Sequence, residues 1–132
     1  MDRGLQWATV RHWETSVPGA WGTAIGSGAA NTDAIIAQNG AGASYAAGLA
    51  RAYTGGGYSD WYLPSKDELS KLYLSREAIC GFQTELNGWP YYWSSSENES
   101  VPSIAWNQGF DDGYQFGNYK SYAYRVRAVR AS

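Results

Sequence analysis

Histidine and cysteine are almost missing from this chain, one of each in 132 residues, and neither sign of charge predominates. Each shortage closes off a class of function. With Cys80 alone there is no intramolecular disulfide and no cysteine cluster for zinc, so the fold must rest on packing. His12 is the sole histidine and lies in a stretch with no serine or cysteine nucleophile signature, so a catalytic triad has no support and no enzyme is expected. Ten basic and twelve acidic residues give a formal charge of −2, with Lys and Arg scattered rather than grouped. That is no footprint for nucleic acid or for an anionic membrane. No apolar run approaches the roughly 20 residues of a bilayer span, so membrane insertion is not expected. Met1-Asp2-Arg3-Gly4 lacks the apolar core of an export signal, and a longer parent protein is expected to carry any such signal.

Against these shortages stand seven Trp and eleven Tyr, with only three Phe. A buried ring removes about 150–250 Å² from water, so a few rings fill the core available to the one domain, 1–132, that this length allows. The remainder need another use. Trp and Tyr join a flat apolar body to a polar handle, which suits a wet recognition surface.

Along the chain, Leu5 to Val10 alternates loosely and reads as an opening strand, followed by an irregular stretch marked by Pro18 and several glycines. Asn31 or Thr32 is placed to cap a helix through Gln38 that stops at Asn39-Gly40, and Ser44 to cap a second from Tyr45 to about Tyr53. In Pro64-Ser65-Lys66-Asp67-Glu68-Leu69 the Ser65/Glu68 spacing is that of a capping box, and Asp67 and Glu68 complement the helix dipole. Leu69, Leu72 and Tyr73 recur at helical spacing, predicting one buried face through about Ala78 before Cys80-Gly81 ends the helix. From Trp89 onward the pattern turns to short strands: Tyr91 to Ser95, Ile104 to Phe110, Tyr114 to Tyr119 and Tyr124 to Ala131. Helices in the first half and a small antiparallel sheet with long loops in the second define an α+β fold.

Several runs, spread over nearly the whole chain, carry a resemblance. They are Asn31-Thr32 with Ala34 to Gln38, Ser44 to Ala47, Ser59 to Leu69, Tyr92-Trp93-Ser94-Ser95-Ser96-Glu97, Ala105-Trp106-Asn107, and Arg125 to Arg130. In this order they resemble the Lcl C-terminal domain family, named for a bacterial collagen-like adhesin. The resemblance implies a C-type-lectin-like fold, shared with formylglycine-generating enzymes and with the variable proteins of diversity-generating retroelements. In those variable proteins a reverse transcriptase rewrites adenines, typically in Asn codons, within the C-terminal coding segment. The products are residues encoded by codons ending in a pyrimidine. From Gly109 to Tyr124 every residue meets that condition except Gln115 and Lys120, and Asn118 would be an unaltered template position; Val101 to Ile104 also meet it. The implied variable region is about 91–130.

Composition sharpens the implication. Tyr114, Phe116, Tyr119, Tyr122 and Tyr124 stand among small polar residues, the chemistry of an antibody paratope. The expected ligand-binding face is Ser103, Ile104, Asp111, Asp112, Tyr114, Phe116, Asn118, Tyr119, Ser121, Tyr122 and Tyr124, with Trp93 to Ser96, Trp106 and Arg125 to Arg130 as scaffold. The alternative is that the rings pack the sheet. Five aromatics within eleven residues, interrupted by glycine, lysine and serine, exceed what one small core takes up, so some must face water.

Other candidates have plainer explanations. Asp111-Asp112-Gly113 reads as a turn rather than a calcium site, and Trp106-Asn107-Gln108 only approximates a lectin metal-ligand motif, so neither metal nor cofactor is expected. The formylglycine-generating reaction needs paired cysteines, and Cys80 alone reads as a small core residue. Glu97 and Glu99 read as a solvated loop. Arg125, Arg127 and Arg130 are the best candidates for anionic sugars, or else pair with scaffold carboxylates such as Asp60, Asp67 or Glu68. Three functions follow: a variable domain binding a cell-surface protein or glycan, displayed extracellularly on a bacterial surface or a phage tail fibre; an invariant adhesin for anionic glycans; or a structural cap forming a homotrimer.

Overall fold

The computed structural model describes residues 4–85 and 88–131. Among them, α1 (Gly28–Asn39), α2 (Ala46–Ala52), α3 (Lys66–Leu74) and α4 (Arg76–Ile79) precede β1 (Tyr91–Glu97), β2 (Ile104–Gly109) and β3 (Gln115–Tyr119). The three strands form one antiparallel sheet in the order β1-β2-β3. Helices in the first half and a small sheet in the second are the α+β arrangement that the sequence pattern predicts.

The capping box at α3 forms as its spacing requires. Ser65 Oγ accepts from Glu68 N at 3.3 Å and Glu68 Oε1 accepts from Ser65 N at 2.8 Å. Leu69 is buried beneath the helix, but Ser75 breaks the run, so the buried face ends near Tyr73 and Ala78 is exposed. The chain then turns at Cys80, whose φ of +67° closes α4. Cys80 is exposed, not a core residue.

Elsewhere tertiary contacts override local signals. The expected opening strand reduces to a single bridge, Leu5 with Tyr124, because Val10–His12 winds into a 3-10 turn. Helix α1 begins at Gly28, so Asn31 and Thr32 lie inside it instead of capping it. Asn31 Nδ2 donates to Gly22 O (2.7 Å) and Ser95 Oγ (3.2 Å), and Thr32 Oγ1 accepts from Leu63 N (3.0 Å). Helix α2 starts at Ala46 after Tyr45, and Ser44 makes no capping bond. The last expected strand, Tyr124 to Ala131, is reduced to bridges at Tyr124, Arg125 and Val129.

The main core joins both halves of the chain, with Trp7, Ile35, Tyr45, Leu63, Trp93 and Ala105 buried together. A smaller cluster of Leu69, Tyr92 and Phe110 sits under α3. Between Trp93 and Glu97, β1 bulges away from β2, so three residues oppose Trp106. That bulge turns Ser94, Ser95 and Ser96 into a buried polar hub. Ser94 Oγ donates to Trp106 O, Ser96 Oγ to Gly22 O, and Ser95 N to Pro64 O at 2.7–2.8 Å. Buried polar groups are tolerated only when paired in this way, which accounts for the serine run.

Candidate functional site

The C-terminal rings divide by exposure. Tyr114 is 68% exposed, Tyr119 53%, Tyr122 46% and Phe116 37%, whereas Tyr124 is 6% exposed and belongs to the core. Tyr124 is therefore a correction to the expected face. Its backbone exchanges two hydrogen bonds with Leu5, and its ring meets Trp93 edge-on at 4.8 Å. Burial, followed by the nearby Tyr122 and Tyr91, pushes its phenol up to about 12.

The outward rings are not scattered. Tyr119 and Tyr122 meet edge-to-face at 5.7 Å across a tight turn closed by Tyr122 N donating to Tyr119 O at 3.0 Å. From there, ring contacts run through Tyr124 (6.3 Å) and Tyr91 (5.6 Å) to Phe116 (6.2 Å). Tyr91 is a member that strand periodicity alone did not single out. It stands opposite Gly109 in the ladder, so the β2 position facing it carries no side chain. Trp89, 5.3 Å from Tyr91, extends the row. Such pairs contribute about 0.5–1.5 kcal/mol each beyond burial and hold the rings in fixed orientations.

Ser103, Ile104, Asn118 and Ser121 are half-buried around this row. Ile104 pairs with Tyr119, and Ser103 O accepts from Lys120 N at 2.9 Å. Asn118 Nδ2 donates to Asn107 Oδ1 at 3.0 Å, leaving the buried Asn107 Nδ2 without a partner. The structure thus gathers Ser103, Ile104, Phe116, Asn118, Tyr119, Ser121 and Tyr122. It does not bring Asp111, Asp112 and Tyr114 to them: these form the β2–β3 turn, about 17 Å along the strand from Tyr119. There Asp112 Oδ1 accepts from Tyr114 N at 3.0 Å and Gly113 takes a φ of +84°, the work of turn formers. Among the described residues no three His, Cys, Asp or Glu side chains are grouped as a metal would need.

What fixes the tyrosine turn is a buried ion pair. Lys120 Nζ donates to Glu97 Oε2 and to Thr15 O, with both charged side chains fully buried. Glu97 also accepts from Val17 N at 2.9 Å and Trp21 Nε1 at 2.8 Å. Glu97 is thus no solvated loop residue. Burial holds the Lys120 ammonium below the usual lysine range, opposed by its bond to Glu97. The backbone of Lys120 is pinned as well, its carbonyl accepting from Trp7 N at 3.0 Å. Gln115, at the other end of β3, donates to Lys66 O at 2.8 Å.

The three C-terminal arginines are engaged. Arg130 forms a two-pronged pair with Asp60 at 2.7 and 3.1 Å, which holds the Asp60 carboxyl below the usual range; Asp67 and Glu68 are not its partners. Arg125 donates to Trp89 O (2.8 Å) and Gly88 O (2.7 Å). Arg127 lies over the Phe82 ring at 4.3 Å.

A scan of family models matches residues 2–130 to the Lcl C-terminal domain. No curated protein and no solved structure matches the chain.

Proposed function

We propose, because the chain belongs to the Lcl C-terminal domain family, that it is a non-catalytic domain binding a cell-surface protein or glycan on its tyrosine face. The observation that carries this reading is the outward position of Tyr119, Tyr122 and Phe116 on a row of rings that is anchored from below by a buried ion pair. Rigid aromatic anchors lose little entropy on binding, so a fixed row of them suits recognition.

We read the fold as C-type-lectin-like and the segment 101–124 as diversified in the manner of retroelement variable proteins, displayed on a bacterial surface or phage tail fibre. Two residues support that reading. Gln115 and Lys120, which adenine rewriting of Asn codons does not produce, are tied by their side chains to Lys66 and Glu97. The residues that rewriting can produce include those that face water. The neighbouring DNA tests this: a reverse-transcriptase gene and a near-copy of the segment rich in AAC codons are expected.

Replacing Tyr119 and Tyr122 together by Ala tests the face itself. Exposed substitutions cost roughly 0.5 kcal/mol or less each, so the thermal midpoint should move little. Retention on a glycan array and on intact bacterial cells should be lost. Binding by the wild-type chain should change little between low and high salt, because docking on rings is poorly screened, whereas an arginine-driven site loses affinity steeply. A large fall in midpoint, or unaltered binding, would overturn the assignment.

A further inference from the structure

Among the described residues, the C-terminal segment has an unpaired strand edge inside an apolar groove. Arg125 is hydrogen-bonded to β1, its N–H to Tyr91 O at 2.9 Å and its carbonyl to Trp93 N at 3.0 Å. Val129 is bonded to Tyr62 in both directions at 2.8 and 2.9 Å. Between them the N–H and C=O groups of Val126, Arg127 and Ala128 have no hydrogen-bond partner among the described residues. An extended chain presents its backbone groups to alternate sides. Tyr124 faces Leu5 and Arg125 faces β1, so Val126 and Ala128 fall on the side that Leu5 occupies.

That side opens on a cavity of about 860 Å³, walled by Leu49, Tyr53, Trp61, Leu72 and Ile79. A second cavity of about 490 Å³ adjoins it, sharing Ala43, Leu49, Val126 and Arg127. Along this groove Arg130 is neutralised by Asp60, but no carboxylate among the described residues lies within ion-pair distance of Arg127. Its guanidinium makes one long bond, 3.4 Å to Cys80 O. Half-buried backbone groups without partners are costly, and a strand laid alongside recovers their bonds.

We propose that this groove binds an extended peptide segment of a partner protein. The peptide pairs with the Val126–Ala128 edge, sets alternate apolar side chains into the groove and places a carboxylate on Arg127. The Val126–Ala128 edge spans about 7 Å, room to pair with a stretch of three residues. An apolar anion would satisfy the lining and the guanidinium but leave the backbone unpaired, which favours a peptide. The site is separate from the tyrosine face and stands whether or not that face binds.

The test is selection of a random linear peptide library on the immobilised domain, followed by titration of an enriched peptide into ¹⁵N-labelled protein. Enriched peptides should share an Asp or Glu flanked by apolar residues at alternate positions. The Val126 and Ala128 amides should shift and gain exchange protection. Arg127→Gln should weaken binding roughly tenfold, the loss of one charge-assisted bond. The Tyr119/Tyr122 double variant should bind as wild type does. Methylating the peptide nitrogens that face the edge should abolish binding without altering the protein. The proposal is overturned if no peptide is enriched, if shifts map to Tyr119 and Tyr122, or if N-methylation is tolerated, which would make the groove an amphiphile site. Protection of the Val126 and Ala128 amides in the free protein would also overturn it, pointing to a second copy if concentration-dependent and to the chain itself if not.

Discussion

Ser65 is fully buried and serves two segments at once. Its hydroxyl accepts from Glu68 N and donates to Ala24 O at 2.9 Å, while Glu68 reaches back to Ser65 N and on to Gly26 N at 2.8 Å. The cap therefore stitches the loop before α1 to the start of α3. Ser65→Ala should cost about 1–2 kcal/mol, the upper part of the usual range for a lost cap, read as a shift in urea midpoint with unchanged slope. An unchanged midpoint would show that the cap is replaced by water. This residue was legible from sequence because both partners lie within four positions. Glu97 was not. Beside Asn98 and Glu99 it has the neighbours of a loop residue, and only Lys120, distant in sequence, reveals why a carboxylate is buried there.

Strand β3 shows how an element is held in place by one residue just past its end. Lys120 anchors it to β1 through Glu97 and to the N-terminal loop through Thr15 O and Trp7 N. Lys120→Met leaves the Glu97 carboxylate buried without its cation, and unpaired buried charges cost about 3–5 kcal/mol. Denaturant unfolding should record that loss, and adding Glu97→Gln should recover part of it, since both charges are then gone. If the single substitution is tolerated, the pair does not hold β3. Alternation in β1, β2 and β3 predicted these strands within a residue or two. The same reasoning failed at both ends of the chain, where Leu5 and Tyr124 bond chiefly to each other rather than to a ladder.

Closure of the whole molecule rests on that same junction. Tyr124 lies against the segments at Leu5, Trp93 and Tyr91, buried as a neutral phenol. Because its folded pKa of about 12 lies above the unfolded value near 10, the folded state holds its proton more tightly. The stabilisation is complete below pH ~10 and is lost as pH rises through about 12. Tyr124→Phe keeps the ring and should leave neutral-pH stability nearly unchanged while flattening the alkaline fall. The slope that persists is assigned to Tyr45 and Tyr62, which burial raises in the same direction. An alkaline profile identical to wild type would mean that Tyr124 ionises without unfolding the domain.

From the sequence by itself come the α+β layout, the α3 start, three of the five expected strands and the surplus of aromatic residues over any core that could hold them. These depend on interactions between near neighbours or on bulk counts of surface area, and both can be read from a linear chain. Which tyrosine turned inward, where the arginines found partners, why Gln115 and Lys120 differ in kind from the residues around them, and which edge was left open were decided by tertiary structure. Each depends on a contact between segments far apart in sequence, and burial is a property of the position that such contacts create, not of the residue type that occupies it.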